Sequence, residues 1–230
     1  MSMLMNRRMS CSCLVFLISI FVGDHVPGQT VPPSPLQYLE GHAAAVHAVG
    51  YSPDGKILFS GDTAGTLKMW DRATGQVLSS GVWHDGAILT LAVSPDGRQV
   101  VTAGTGKQIV VSDVAIPRPL LDLTGVPGVP TAITMSRDGG TLLTGDESNN
   151  VSLWDPVAGK LIRNYAGATG PIVGVGWIPM TKSVLGVSPD GTLREWNVDN
   201  AQLSGVVYSH LASSLGVPEI GSQIVLGGQD

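Results

Sequence analysis

Gly41-His42-Ala43-Ala44-Ala45-Val46-His47-Ala48-Val49-Gly50-Tyr51-Ser52-Pro53-Asp54-Gly55-Lys56-Ile57-Leu58-Phe59-Ser60-Gly61-Asp62-Thr63-Ala64-Gly65-Thr66-Leu67-Lys68-Met69-Trp70-Asp71 is the stretch around which this 230-residue chain is organised. Three short runs in it suit strands: Val46 to Tyr51, Ile57 to Ser60 and Thr66 to Asp71. Turn residues separate them, and runs such as Val46 to Tyr51 and Ile88 to Val93 are apolar, short and rich in β-branched residues, which suits buried strands. Ser52-Pro53-Asp54-Gly55 is a turn with a mechanism, since Pro sets φ, Asp bonds its own backbone and Gly takes positive φ. Trp70 ends the third run with a large apolar surface and a single N–H.

The stretch recurs with a period of 42. Asp54, Asp96 and Asp138 lie on that step, each followed by Gly, and Trp70, Ser112, Trp154 and Trp196 lie on it too. So do Asp71, Asp113, Asp155 and Asn197. His42, His84 and His210 share one repeat position, with Val126 and Ala168 in the places between. One unit cannot bury both faces of its own sheet, so neighbouring units must stack.

A period of this length with Gly-His at one end and Trp-Asp at the other resembles the WD-repeat (WD40) β-propeller family, over roughly residues 36 to 230. The resemblance implies an all-β fold with four strands per blade. It gives about four complete blades, 36–76, 77–118, 119–160 and 161–202, and a partial fifth, 203–230. It also implies a bracing network in each blade. A His ties an Asp in the turn before the third strand to a Ser or Thr on the second strand and to the Trp. On this reading His42, Ser60, Trp70, Asp71, His84, Trp154, Asp155, Asp190, Trp196 and His210 are structural. The Asp position falls on Ala64, Gly106 and Ser148 in the first three repeats. Asp190 fills it in the fourth, where Ala168 stands for His, so the network is expected to be incomplete in every complete repeat.

Leu36 to Leu39 is in phase with Val206 to Tyr208 and is expected to be an outer strand. The second repeat carries Ser112-Asp113 for Trp-Asp, and in the fourth Pro179-Met180-Thr181 takes the place of the Pro-Asp-Gly turn. The fifth offers a strand at Gln223 to Leu226 and stops at Asp230, where a third strand is due. The expectation is an unclosed propeller whose exposed edges favour self-association.

Residues 1–28 read as a secretory signal: Arg7-Arg8, then an apolar stretch 13 residues long from Cys11 to Gly23, with cleavage after Gly28. The run is too short to span a membrane. An uncleaved N-terminal anchor is the alternative. Residues 29–35 are a Pro-rich leader, and 36–230 form the propeller domain. Both cysteines, Cys11 and Cys13, precede that domain, which removes disulfides and thiolate metal sites from a cleaved product. Charged residues make up 13% of the chain and the net charge is −5. Removal of residues 1–28 leaves 11 Lys and Arg against 17 Asp and Glu, a net charge of −6. No basic cluster follows residue 8, which argues against a nucleic-acid partner.

The repeated histidines fall on different blades and cannot converge on one metal ion. His47 lies in a strand with no identifiable partner. Gly104-Thr105-Gly106-Lys107 lacks the spacing of a phosphate loop and reads as a turn between strands. Asn150-Val151-Ser152 is a formal glycosylation sequon at a strand entry. No nucleophile set, metal set or cofactor motif emerges. The reading is therefore a non-catalytic protein-interaction module outside the cytoplasm, secreted or in the cell envelope. By fold-level analogy its contacts fall on turns before the third strands: Asp62, Thr63, Thr105, Asp146, Glu147 and Pro189. Two alternatives stand beside it, a ligand-binding or enzymatic propeller with a site built from several loops, and an inactive fragment of a longer protein.

Overall fold

The computed structural model describes residues 38–123, 125–178, 181–208, 212–216 and 225–228. The signal, the Pro-rich leader, His210, Pro179, Met180 and Asp230 lie outside them.

Alternating apolar runs and tight turns give four antiparallel sheets of four strands each. The first holds β1 (Val46–Tyr51), β2 (Ile57–Asp62), β3 (Thr66–Asp71) and β4 (Val77–Val82) in sequence order. The second holds β5 (Ile88–Val93), β6 (Gln99–Gly104), β7 (Ile109–Asp113) and β8 (Arg118–Leu123). The third holds β9 (Pro130–Met135), β10 (Leu142–Asp146), β11 (Val151–Asp155) and β12 (Lys160–Tyr165). The fourth holds β13 (Gly174–Trp177), β14 (Ser183–Val187), β15 (Thr192–Asn197) and β16 (Leu203–Tyr208). β17 (Ala212–Gly216) and β18 (Val225–Gly228) pair as a two-stranded sheet. The first strands β1, β5, β9, β13 and β17 pack against one another in succession. Among the described residues no sheet joins the two ends of the array.

The turn chemistry is repeated atom for atom. Ser52 Oγ donates to Asp54 Oδ1 at 2.6 Å and accepts from Ile57 N at 2.9 Å. Ser94 with Asp96, and Ser136 with Asp138, do the same. Those hydroxyl bonds come first among the causes that hold the Asp54, Asp96 and Asp138 carboxyls below the usual range. A register shift recurs where the third strand meets the fourth, at Met69/Trp70, Val111/Ser112, Leu153/Trp154 and Glu195/Trp196. Such bulges bend and twist an outer strand away from flat edge-to-edge pairing.

The core lies in the seams between blades. Phe59, Leu67 and Met69 meet Ile88 and Val100 in the first seam. Val101, Ile109 and Val111 meet Leu142 and Trp154 in the second, and Leu143, Val151 and Leu153 meet Val184 and Trp196 in the third. Trp154 and Trp196 thus each face the preceding blade. Gly61 and Gly145 make room for the next blade, since a Cβ at either would run into Ile88 or Ile172.

One expectation is corrected. Tyr38 and Leu39 are irregular rather than strand, while Leu36 and Gln37 lie outside the described residues. With no neighbouring strand to complete a ladder, Tyr38 stands exposed. The described part of the second strand of the fifth unit is Val225–Gly228, which overlaps the expected Gln223 to Leu226, while Gln223 and Ile224 lie outside the described residues.

Candidate interaction face

The bracing network of the first blade is complete. Asp62 ends β2 and makes an Asx turn, in which Oδ1 accepts from Ala64 N at 3.0 Å and Thr66 N at 2.9 Å. Its Oδ2 is left for His42 Nδ1, at 2.7 Å. His42 Nε2 lies 2.6 Å from Ser60 Oγ, which accepts from Trp70 Nε1 at 2.7 Å. The His42 and Trp70 rings are tilted against each other, 5.9 Å apart. Burial raises the Asp62 pKa, but the bonds from His42, Thr66 and Ala64 outweigh it and hold the carboxyl below its ordinary range. The network's Asp is therefore Asp62, not a residue at position 64, and the expected gap in the first repeat is corrected.

Asp62, His42 and Ser60 stand in the atom order of a hydrolase triad, yet Ser60 is 4% exposed and engaged by an indole. A nucleophile must reach its substrate. This set is a brace.

Each later blade alters it. At Asp62's position the second blade has Gly104, and at Trp70's it has Ser112. His84 Nε2 lies 2.8 Å from Thr102 Oγ1, while its Nδ1 and the Ser112 hydroxyl are buried without a hydrogen-bond partner among the described residues. Burial pushes the His84 pKa down, opposed by the charges of Asp122 and Asp85.

The third blade keeps Asp146, Thr144 and Trp154, whose Nε1 donates to Thr144 Oγ1 at 3.0 Å. Val126 supplies no imidazole, so Asn150 Nδ2 and Gly128 N donate to the Asp146 carboxylate instead. That also commits the Asn150 amide nitrogen of the sequon.

In the fourth, Trp196 Nε1 turns to Ala166 O at 2.7 Å because Gly186 offers no hydroxyl. Arg194 is buried and donates to the Thr192 and Thr169 hydroxyls. Both of those donate to Asp190. The Thr192 hydroxyl is the first cause that holds the Asp190 carboxyl low, burial opposing it, with Thr169 and the Arg194 charge adding to it.

The same turns form a continuous belt on one end of the sheets. Thr63 N donates to Ala45 O, Trp83 N to Gly65 O and Thr105 N to Ala87 O, at 2.9, 2.9 and 3.0 Å. Lys107 Nζ reaches Pro127 O at 3.4 Å. Glu147 N donates to Val129 O at 3.1 Å and Ile172 N to Asp146 O at 3.0 Å. Ser188 Oγ donates to Gly170 O at 3.2 Å. Of the six residues singled out in the sequence, Thr63, Thr105, Glu147 and Pro189 are exposed and occupy one repeat position, one per blade. Asp62 and Asp146 are buried beneath them and committed to the backbone and to their own blades.

The structure therefore arranges the exposed four along a line and does not gather them into a pocket. Among the described residues no three His, Cys, Asp or Glu side chains stand together as a metal site. Lys107 adds the cation of this belt and takes positive φ, 57°, where the other blades have Gly65, Asn149 and Gly191. A solvent-open hollow of about 330 Å³ lies at the opposite end, between the Ser94 and Ser136 turns, lined by Asp96, Arg98, Asp113 and Asp138.

Arg194, Asn150, Thr102 and Thr144 were not recognised in the sequence. The two threonines stand one and two periods after Ser60, a signal that was there to be read. Arg194 stands three periods after Lys68, in a row otherwise occupied by Val110 and Ser152.

Comparison with known proteins agrees with this geometry. The WD domain, G-beta repeat family model matches residues 33–71, 75–113 and 119–155. Apoptotic protease-activating factor 1 of Rattus norvegicus is 27% identical over 182 residues, covering 75% of this chain and 14% of that protein. The DENN domain and WD repeat-containing protein SCD1 of Arabidopsis thaliana is 26% identical over 78% of this chain and 15% of its own length. Pre-mRNA-processing factor 19 of Bos taurus is 29% identical over 42% of this chain and 19% of its own length. The matched part is thus a small share of each relative, less than a fifth. A period of 42, four-stranded sheets, the His42–Asp62–Ser60–Trp70 brace and the matching family model lead to one conclusion: the chain belongs to the WD40 repeat family.

Proposed function

We propose that the chain is a non-catalytic protein-interaction module that presents its belt of turns to a protein partner. The observation that carries this is the division of labour on the belt. Asp62 and Asp146 are spent on bracing, while Thr63, Thr105, Glu147 and Pro189 project from the belt turns at one position per blade. Rigid turns that hold exposed side chains in a fixed row suit recognition of an extended surface better than they suit chemistry. The N-terminal Arg7-Arg8 and apolar run support export from the cytoplasm, with cleavage near Gly28.

A photo-reactive side chain placed at Thr105 or Glu147 tests the contact. It should crosslink a partner protein in the native host, and the same group at Arg137, on a turn at the other end, should not. Equal crosslinking from both ends would reject the belt as the contact face. Mass spectrometry of the chain from its host tests export, and an intact Met1-to-Gly28 segment would reject cleavage.

A second reading, association between copies, is favoured by the first blade. Val49 is 38% exposed on the face that no described strand covers, whereas its counterpart Val175 is 8% exposed. Leu58 is half-buried where Val100, Leu142 and Val184 are fully buried. Light scattering over a hundredfold concentration range should then show growth in mass. A monomer throughout would reject it.

A further inference from the structure

We propose that His84 makes the seam between the first two blades acid-sensitive, so that mild acid frees segment 83–87 and loosens the belt turns that carry Thr63 and Thr105. The geometry places an imidazole in a brace that lacks the partner a charged ring needs. His84 is 3% exposed, and among the described residues its ring makes one hydrogen bond, between Nε2 and Thr102 Oγ1. The neutral ring leaves least unsatisfied when Nε2–H donates and Nδ1 is a bare acceptor. A second proton creates a buried N–H at Nδ1 that points at Gly104, where the first blade has the Asp62 carboxylate. An unmet donor on a buried cation is strongly disfavoured.

The other charged groups around the ring do not supply that acceptor. Asp85 and Asp122 are exposed and act on it only at a distance. Asp62, on the turn packed against segment 83–87, is taken by His42, and the Lys107 amine is turned to Pro127 O. Strands β5 and β6 carry no titratable side chain.

The ring is linked to the belt through its own backbone. Trp83 N and His84 N both donate to Gly65 O, at 2.9 and 3.4 Å, and Thr105 N donates to Ala87 O. Gly86 lies against the Thr105 side chain. Opening the segment therefore removes the support of two neighbouring turns.

The sign follows from linkage. A histidine whose pKa is depressed in the closed state gives stability that is present above its ordinary pKa, about 6.5, and lost as pH falls below it. The carboxyls of Asp62, Asp96 and Asp138 are all held below 3.8, so their acid limb lies at lower pH and does not overlap. The opening rests on the fold alone. Only its consequence for partner contact rests on the interaction reading.

Hydrogen exchange in the full chain tests it, read as protection factors of the Trp83 and His84 amides. Linkage lets opening gain at most about one decade per pH unit below 6.5, so protection should fall between pH 7.5 and pH 5.0, by up to about thirtyfold. The same amides in His84→Gln should show no such fall. Unchanged protection in the natural chain, or an equal fall in His84→Gln, would overturn the proposal. Should His84→Gln not fold, the ring C–H resonances of His84 in the natural chain decide. They should titrate below the ordinary histidine value of about 6.5 in the folded protein, and a folded-state titration at or above pH 6.5 would overturn it.

Discussion

In the first blade His42 is held at both nitrogens, by Asp62 on one side and Ser60 on the other, and an indole closes the chain of bonds. In the second blade His84 sits at the same repeat position, but Gly104 and Ser112 leave one nitrogen and one hydroxyl unmet. Both histidines precede the first strand of sheets of identical topology. The difference shows that the strand pattern and the seam packing are enough to form a blade, and that the polar brace is an addition to it. Buried polar groups that are fully paired rigidify their surroundings, while partly paired ones do not. The first blade is the braced end of the array, and the seam between the first two is where the brace gives out. Trp83, packed against the apolar cluster of that seam, supplies indole surface that Ser112 does not.

The comparison is sharpened first by removing apolar filling that owes nothing to the histidine. Trp154 is fully buried between the second and third blades, and its blade has Val126 in place of His. Trp154→Ala should lower stability by about 3–5 kcal/mol in urea unfolding, the cost of a large cavity. A loss below about 1 kcal/mol would mean that the seam is not the core.

Next comes the carboxylate of the complete brace. Asp62→Ala removes acceptors for His42, Ala64 N and Thr66 N at once and should cost about 3 kcal/mol at pH 7. Because the folded Asp62 pKa lies below its unfolded value of 3.8, its contribution is present above pH 3.8 and fades as pH falls through the folded value. Asp62→Asn should accordingly flatten the acid limb of the stability curve below about pH 4. An unchanged limb would remove Asp62 from the brace.

The smallest effect is expected at Lys107. Its left-handed backbone is strained for a residue with a side chain, and Gly stands at the same place in the first and fourth blades. Lys107→Gly should raise stability by about 0.5 kcal/mol, the relief being partly offset by the greater freedom of glycine when unfolded. Destabilisation would show that the Nζ bond to Pro127 O carries more than an exposed contact should.

The fold was legible because its signals are local and strictly periodic. Ser-x-Asp-Gly turns in the first three repeats, and Trp near the end of the third strand in the first, third and fourth, fall on one step of 42 residues, and β1 and β3 begin and end where the sequence places them. The brace was less legible because it depends on which side chain a bulge presents. The pairing of β1 with β2 slips between Val46 and Ala48, so that Asp62 pairs with Val46 at the end of the strand, and its carboxylate reaches His42. Asn150 and Arg194 were hidden for a different reason. Each replaces a lost partner with a residue of another type from another position, a compensation no repeat alignment displays. The exposed row of Thr63, Thr105, Glu147 and Pro189 was named from turn positions, but the burial of Asp62 and Asp146 beneath it needed coordinates.

His42 and His84 carry unequal weight in their blades, and paired urea melts of His42→Ala and His84→Ala at pH 7.5 measure the difference directly. Losing His42 strands a buried carboxylate and should cost about 2–3 kcal/mol. Losing His84 gives up one ordinary hydrogen bond to Thr102 and should cost about 1 kcal/mol or less. Equal losses, or a larger loss for His84→Ala, would contradict the claim that the brace is complete in the first blade and broken in the second.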